Sequence, residues 1–170
     1  MKEQKQHFLD KCSYGLYVIT SCDEKKINGQ ISDALMQVTA TPQRVAVSIC
    51  QFEYTHEMIM KSRVFGVSVL SIAADLKFIG TFGFKSGRDS DKFESVKYKL
   101  SKNGCPLLLE NVVSHFEAKV IETIDLKTHT LFIADVLQGD IVEDSKALTY
   151  CYYKEHLKGK AHKNSPSYRK

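Results

Sequence analysis

Apolar and polar positions alternate along much of this chain, most clearly over residues 112–125. There Val112, Phe116, Ala118, Val120 and Ile124 fall on one face, and His115, Glu117, Lys119, Thr123 and Asp125 on the other. A period of two is the signature of a half-buried strand, and it places His115 in solvent. A turn at Asp125-Leu-Lys-Thr128 and an apolar run over 129–142 complete a β-hairpin. Residues 14–20, rich in β-branched and aromatic side chains, predict a strand. A polar turn over 22–26 and an alternating segment over 26–32 follow, the latter with Ile27, Gly29 and Ile31 on one face. Segments 36–41 and 44–50 predict two more strands, broken by Thr41-Pro42, and 64–70 predicts a short apolar one. Two stretches change period. Residues 55–61 predict a short helix with Thr55 as N-cap and Glu57 in its first turn. Apolar residues at 72, 73, 76, 79 and 82–84 approach helical spacing, and a polar loop over 85–92 follows. Six or more strands with two short helices predict a mainly β fold, a closed or nearly closed antiparallel barrel.

Composition bounds this picture. A chain of 170 residues that is 43% hydrophobic and 26% charged suits one water-soluble domain with a real core. No run is long and apolar enough for a membrane helix. The first eleven residues are polar, with no apolar stretch of the signal-peptide kind, so the expected compartment is the cytoplasm. The five cysteines (12, 22, 50, 105 and 151) are widely spaced without a Cys-x-x-Cys, which argues against zinc-ribbon, rubredoxin or dithiol-motif chemistry and for mostly buried thiols. Residues 154–170 carry six Lys/Arg and one acidic residue, leaving 18 basic and 19 acidic residues before them. The net charge of +4 therefore belongs to a basic tail (154–170) behind a neutral domain (1–153), which argues against a broad nucleic-acid footprint.

Candidate chemistry gathers at five places. Between the strand ending at Cys50 and the helix near Thr55, a helix N-terminus with Thr55 and His56 suits a phosphate; an ordinary capped helix fits equally well. In Ser86-Gly87-Arg88-Asp89-Ser90-Asp91-Lys92, Gly87 permits a tight turn, and Arg88 and Lys92 can meet anionic oxygens. The same loop is equally a solvated turn in which these cations pair with Asp89 and Asp91. Residues 28–39 read as a strand able to lie against a flat ring, or as a bulged strand. His129, opening the second arm of the hairpin, can position a redox partner or serve structure alone. The tail interleaves aromatic and basic residues, which suits single-stranded nucleic acid, a frayed end, or an arm closing over a site or a second subunit. No Rossmann glycine motif, Walker A sequence, His-Glu-x-x-His or Gly-x-Ser-x-Gly is present, so any nicotinamide nucleotide docks transiently.

The order of these segments resembles the flavin reductase-like, FMN-binding split-barrel family, most closely its flavoredoxin and rubredoxin-reductase-type members. The matching stretches are residues 28–42, Val47-Ser-Ile-Cys50 with Tyr54-Thr-His-Glu-Met-Ile59, Phe65-Gly-Val-Ser-Val-Leu70, Phe82-Gly-Phe-Lys-Ser-Gly-Arg-Asp-Ser-Asp-Lys-Phe93, and Thr128-His-Thr-Leu-Phe-Ile133. The tail, from residues 148–153 to Ser165-Pro-Ser-Tyr168, is similar too. The resemblance implies that Ala34, Leu35, Met36, Gln37, Val38 and Thr39 line the isoalloxazine and ribityl chain, with Ser48 and Cys50 beside the ring. It implies that Tyr54, Thr55 and His56 hold the phosphate, and that Ser86, Gly87, Arg88 and Lys92 complete the pocket. His129 is then the catalytic candidate, near the flavin or the incoming nucleotide.

Two departures stand out: Gln30 occupies a position often apolar or small, and Ser32-Asp33 replaces an Asn-containing pair. An acidic Asp33 beside a flavin phosphate is unfavourable. Some relatives carry a C-terminal rubredoxin domain, which this sequence lacks. The implied function is an FMN-binding oxidoreductase using NAD(P)H as a transient co-substrate, working as a homodimer with or without a separate electron-transfer protein. The alternative is a non-catalytic electron carrier. No metal, nucleic acid or membrane partner is expected.

Overall fold

A computed structural model describes residues 8–168; the first seven residues of the polar N-terminal stretch lie outside it. A 3-10 turn (Phe8–Lys11) leads into β1 (Tyr17–Cys22), β2 (Ile27–Ser32), β3 (Leu35–Ala40), β4 (Gln43–Cys50), α1 (Tyr54–Ser62), β5 (Val64–Leu70) and α2 (Leu76–Gly83). A small hairpin, β6 (Tyr98–Leu100) and β7 (Pro106–Leu108), precedes the long pair β8 (Val112–Asp125) and β9 (His129–Ile141), and α3 (Tyr150–Glu155) follows. Among the described residues no helix is long and apolar enough to cross a membrane.

Seven strands form one sheet in the order β2-β1-β5-β8-β9-β4-β3, every neighbouring pair antiparallel. Its two edge strands, β2 and β3, are consecutive in the chain and joined only by Asp33 and Ala34. Three Cα steps reach about 11 Å at most. The sheet therefore curls until its edges nearly meet, giving a barrel with one open seam. Adjacent residues on a strand serve its two faces. Ile19 joins Val47, Ile49, Phe65, Val67, Val120 and Phe132 in one apolar cluster, to which Ile59 of α1 is added. Val18 joins a second, with Leu70 and Val112, closed by Ile79 and Phe82 of α2 and by Tyr153 of α3.

Three expectations need correction. Thr55 does not cap α1: the helix begins one residue earlier, its N-cap is Glu53, and no side chain bonds there. Thr55 is instead buried, and its Oγ1 accepts a hydrogen bond from Asn28 Nδ2 at 2.9 Å. The next helix starts at Leu76, capped by Asp75, which accepts from Phe78 N at 2.7 Å. Residues 71–74 form a turn closed by Ala74 N to Ser71 O. Last, the polar face of β8 is not solvated around His115. The β6–β7 segment covers it: His115 Nδ1 donates to Leu108 O at 2.8 Å. Glu117, also buried, accepts from Ser101 Oγ, Asn103 N and Asn103 Nδ2. Of the cysteines, Cys22, Cys50 and Cys105 are buried, Cys12 and Cys151 are exposed, and all five are free thiols.

Candidate functional site

At the seam, a cavity of about 250 Å³ opens between the β2–β3 junction, the end of β4, α2 and the tail. Strand alternation brings Ser48 and Cys50 to its wall. Ile79, Phe82 and Phe84 line one side, and Phe52 stands at another. Gln30, Ser32, Asp33, Glu53, Lys85 and Ser86 supply polar groups. Two buried acceptor atoms of the cavity lining, Gln30 Oε1 and Asp33 Oδ1, lack a hydrogen-bond partner, as does Asn28 Oδ1 near the start of β2. Buried acceptors without donors are costly and rare, so they point to a ligand that donates.

The tail folds back over this cavity. Asp33 Oδ2 accepts from Ser165 Oγ at 2.9 Å and from Ser167 Oγ. Asn164 Nδ2 donates to Glu53 Oε1 at 2.7 Å. His162 packs edge-on against Phe84, and Tyr153 OH ties to Lys160 O at 3.0 Å. His129 joins the same arrangement. A carbonyl oxygen only accepts, so His129 Nε2–H donates to Asn164 O at 3.1 Å, while Nδ1 accepts from Thr128 Oγ1 at 2.9 Å.

Of the residues singled out in the sequence, Ser48, Cys50 and Ser86 line the cavity. Tyr54, Thr55, Gly87 and Arg88 gather in a neighbouring cluster around Asn28. The Arg88 guanidinium lies 4.7 Å from the Tyr54 ring centre and pairs with the Glu57 carboxylate, not with Asp89. That pair holds Glu57 below the usual carboxylate range. A side chain at Gly87 would collide with Asn28, so glycine is required there by space. Lys92 does not pair with Asp91. Its ammonium is buried and donates to Gly29 O at 2.8 Å and Phe82 O at 3.4 Å. Burial pushes it down to about 8, against the pull of Glu53.

His56 is turned away, its Nε2 2.8 Å from Thr130 Oγ1 and its ring against Phe132; burial lowers its pKa. Ala34 carries the carbonyl that receives Ser48 N at 2.9 Å. Leu35, Met36, Gln37, Val38 and Thr39 form edge strand β3, where Met36 is 59% and Val38 39% exposed. Its ladder shifts register between Gln37 and Thr39, the bulge weighed above. Phe52, Phe84 and Asn164 were not anticipated. Phe52, an exposed aromatic just past the end of β4, is the one with a local signal.

The profile of the flavin reductase like domain matches residues 9–161. The chain is 38% identical over 158 residues to a ferric-chelate reductase (NAD(P)H) of Archaeoglobus fulgidus, covering 93% of this chain and 94% of that protein. It is 38% identical over 160 residues to a high molecular weight rubredoxin of Moorella thermoacetica, covering 94% and 70%. An FMN-binding protein from Thermus thermophilus superimposes with a TM-score of 0.75 at 23% identity, over 85% of each chain, so the split-barrel fold is shared. With the profile spanning nearly the whole domain and two relatives matched along most of their length, the chain belongs to the flavin reductase-like domain family.

Proposed function

We propose that the protein binds FMN at the seam cavity and acts as an oxidoreductase, taking electrons from NAD(P)H and passing them to a separate acceptor. The observation that carries this reading is the pair of unpartnered acceptors, Gln30 Oε1 and Asp33 Oδ1, on a cavity whose apolar walls are Phe52, Phe82, Phe84 and Ile79. A flavin ring is flat, largely apolar, and donates from an imide N–H, so the residues present fit the group. Bound flavin supplies the redox chemistry, accepting two electrons as hydride and releasing them singly or in pairs. The chain supplies binding and shielding. Ser48 and Cys50 would flank the ring, and the uncapped start of α1, with Arg88 and Ser86 beside it, would hold the phosphate. Lys92 supplies a fixed cation behind the wall, and His129 anchors the tail through Asn164.

The cavity is smaller than the roughly 300–1,000 Å³ usual for ligand sites. In this reading a second copy completes it across β3, whose Met36 and Val38 are open to solvent. Met36→Glu should then turn a dimer into a monomer in sedimentation, and an unchanged dimer excludes this face. Five free thiols accord with a reducing, cytoplasmic setting. The relative named ferric-chelate reductase (NAD(P)H) supports the nucleotide and a metal-chelate acceptor; the one named rubredoxin supports an iron–sulfur protein partner.

One feature favours the carrier alternative: the strap of residues 160–166 covers the cavity and narrows the approach for a nucleotide. The test has two stages. Protein mixed with FMN should show a flavin absorption band and a raised Tm; a colourless protein with no thermal shift refutes the proposal. Stopped-flow mixing with NADH and NADPH should then bleach the flavin rapidly. Bleaching only by a reduced protein partner identifies the carrier.

A further inference from the structure

Away from the seam, a second pocket of about 540 Å³ is lined by Cys22, Asp23, Glu24, Lys25, Lys61, Ser62 and Asn103. Cys22 lines it, and Cys105, far away in sequence, packs behind Cys22. Cys22 is the last residue of β1, and Cys105 stands just before β7. Thr20 Oγ1 donates to Pro106 O at 2.6 Å, fixing the register that sets them side by side. Cys22 and Cys105 pack together with Val64 in one buried cluster. Gly104 holds a left-handed φ of 85° and passes so close that a Cβ there would lie 3.2 Å from Cys22 Sγ. Ser101 Oγ accepts from Cys105 N at 2.9 Å.

The two thiols are not equivalent. Cys22 retains 9% exposure at the pocket, whereas Cys105 has none. Cys22 Sγ donates to Asn103 O at 3.1 Å. The neighbouring Cys105 thiol lowers the Cys22 pKa against burial and the charges of Glu117 and Asp23, while the Cys105 thiol is pushed up. The thiolate is the nucleophile in disulfide exchange, so Cys22, which reaches the pocket, attacks and the fully enclosed Cys105 resolves. The pocket mouth carries both signs, Lys25 and Lys61 with Asp23 and Glu24, which suits a peptide-like disulfide.

We propose that Cys22 and Cys105 form an exchange-active dithiol that reacts with small peptide-like disulfides through this pocket. With glutathione disulfide, the Cys22 thiolate displaces one glutathione thiolate and forms a mixed disulfide. Cys105 then attacks the Cys22 sulfur, the second glutathione leaves as thiol, and a Cys22–Cys105 disulfide remains. Two protein thiols are oxidised and one disulfide is reduced to two thiols, so electrons balance without the flavin.

The test uses purified protein carrying Cys12→Ser and Cys151→Ser, which removes the exposed thiols. It is incubated with excess glutathione disulfide, quenched by alkylation under denaturing conditions, and mapped by mass spectrometry. The expected result is that most Cys22 is recovered linked to Cys105 and is released by reductant. Adding Cys105→Ser should trap one glutathionyl group on Cys22. Recovery of both cysteines as alkylated thiols overturns the proposal, as does glutathione left on Cys22 when Cys105 is present. The parent reading stands without the Cys105→Ser protein if that variant fails to fold.

Discussion

Replacing Lys92 by Met separates what this buried ammonium costs the fold from what it does for a ligand. Lys92 is 6% exposed, and its pKa falls from 10.5 to about 8 in the folded chain. Between these values the unfolded chain holds the proton more tightly than the native one, so stability rises with pH through that window. The difference, at about 1.36 kcal/mol per pH unit, makes the charged form cost about 3 kcal/mol below pH 8. Most of this is recovered between pH 7 and 10. Met fills a similar volume and does not titrate. Loss of the bonds to Gly29 O and Phe82 O moves the variant's whole curve and leaves its slope alone. Urea unfolding at pH 7, 8, 9 and 10 should therefore show the parent gaining about 2–3 kcal/mol on Lys92→Met, or roughly 5–10 °C in Tm. Parallel curves refute the argument. FMN titration completes it: a buried charge that costs stability persists where a site uses it, so affinity should fall in the variant. Unchanged affinity makes Lys92 a structural residue.

Thr55→Val leaves Asn28 Nδ2 buried without its acceptor and should cost about 1–3 kcal/mol; a denaturation midpoint equal to the parent's removes that bond from the account. Arg88→Ala should weaken FMN binding by roughly 1–3 kcal/mol, about 5- to 150-fold, with little change in Tm because the Glu57 pair is solvent-exposed. Equal affinity in isothermal titration makes the loop a surface turn. Ser165→Ala with Ser167→Ala strips both donors from Asp33 Oδ2 and should speed FMN dissociation several-fold in stopped flow. An unaltered off-rate shows that the strap does not cover the ligand.

The β8–β9 pair was legible because each strand has an apolar and a polar face over many residues. Periodicity reports the contrast between faces, not what covers the polar one. His115 and Glu117 were therefore misplaced: their cover, β6–β7, spans only three residues per strand and begins in the polar run Lys97-Tyr-Lys-Leu. The family resemblance pointed to Ser48 and Cys50, and the composition of the 86–92 loop to Ser86. The contacts that define the site's rim join Asn28 to Thr55, Asp33 to Ser165 and Glu53 to Asn164. Each links segments remote in sequence through single polar side chains, and no local pattern encodes such a pair. Thr55 failed as a cap because the turn at 51–53, closed by Glu53 N to Cys50 O, starts the helix a residue earlier.

The two-residue junction at Asp33-Ala34 couples shape to occupancy. A ring of strands cannot spread at its seam while so short a tether spans the gap, and the same tether offers one free acceptor, Asp33 Oδ1, to the cavity. A guest held there binds the closed ring alone, so by mass action it favours closure over every looser form. Substitutions far around the ring that ease the seam apart should register as weaker binding, and saturating ligand should rescue their melting temperatures. Barrel integrity and ligand affinity are then two readings of a single equilibrium.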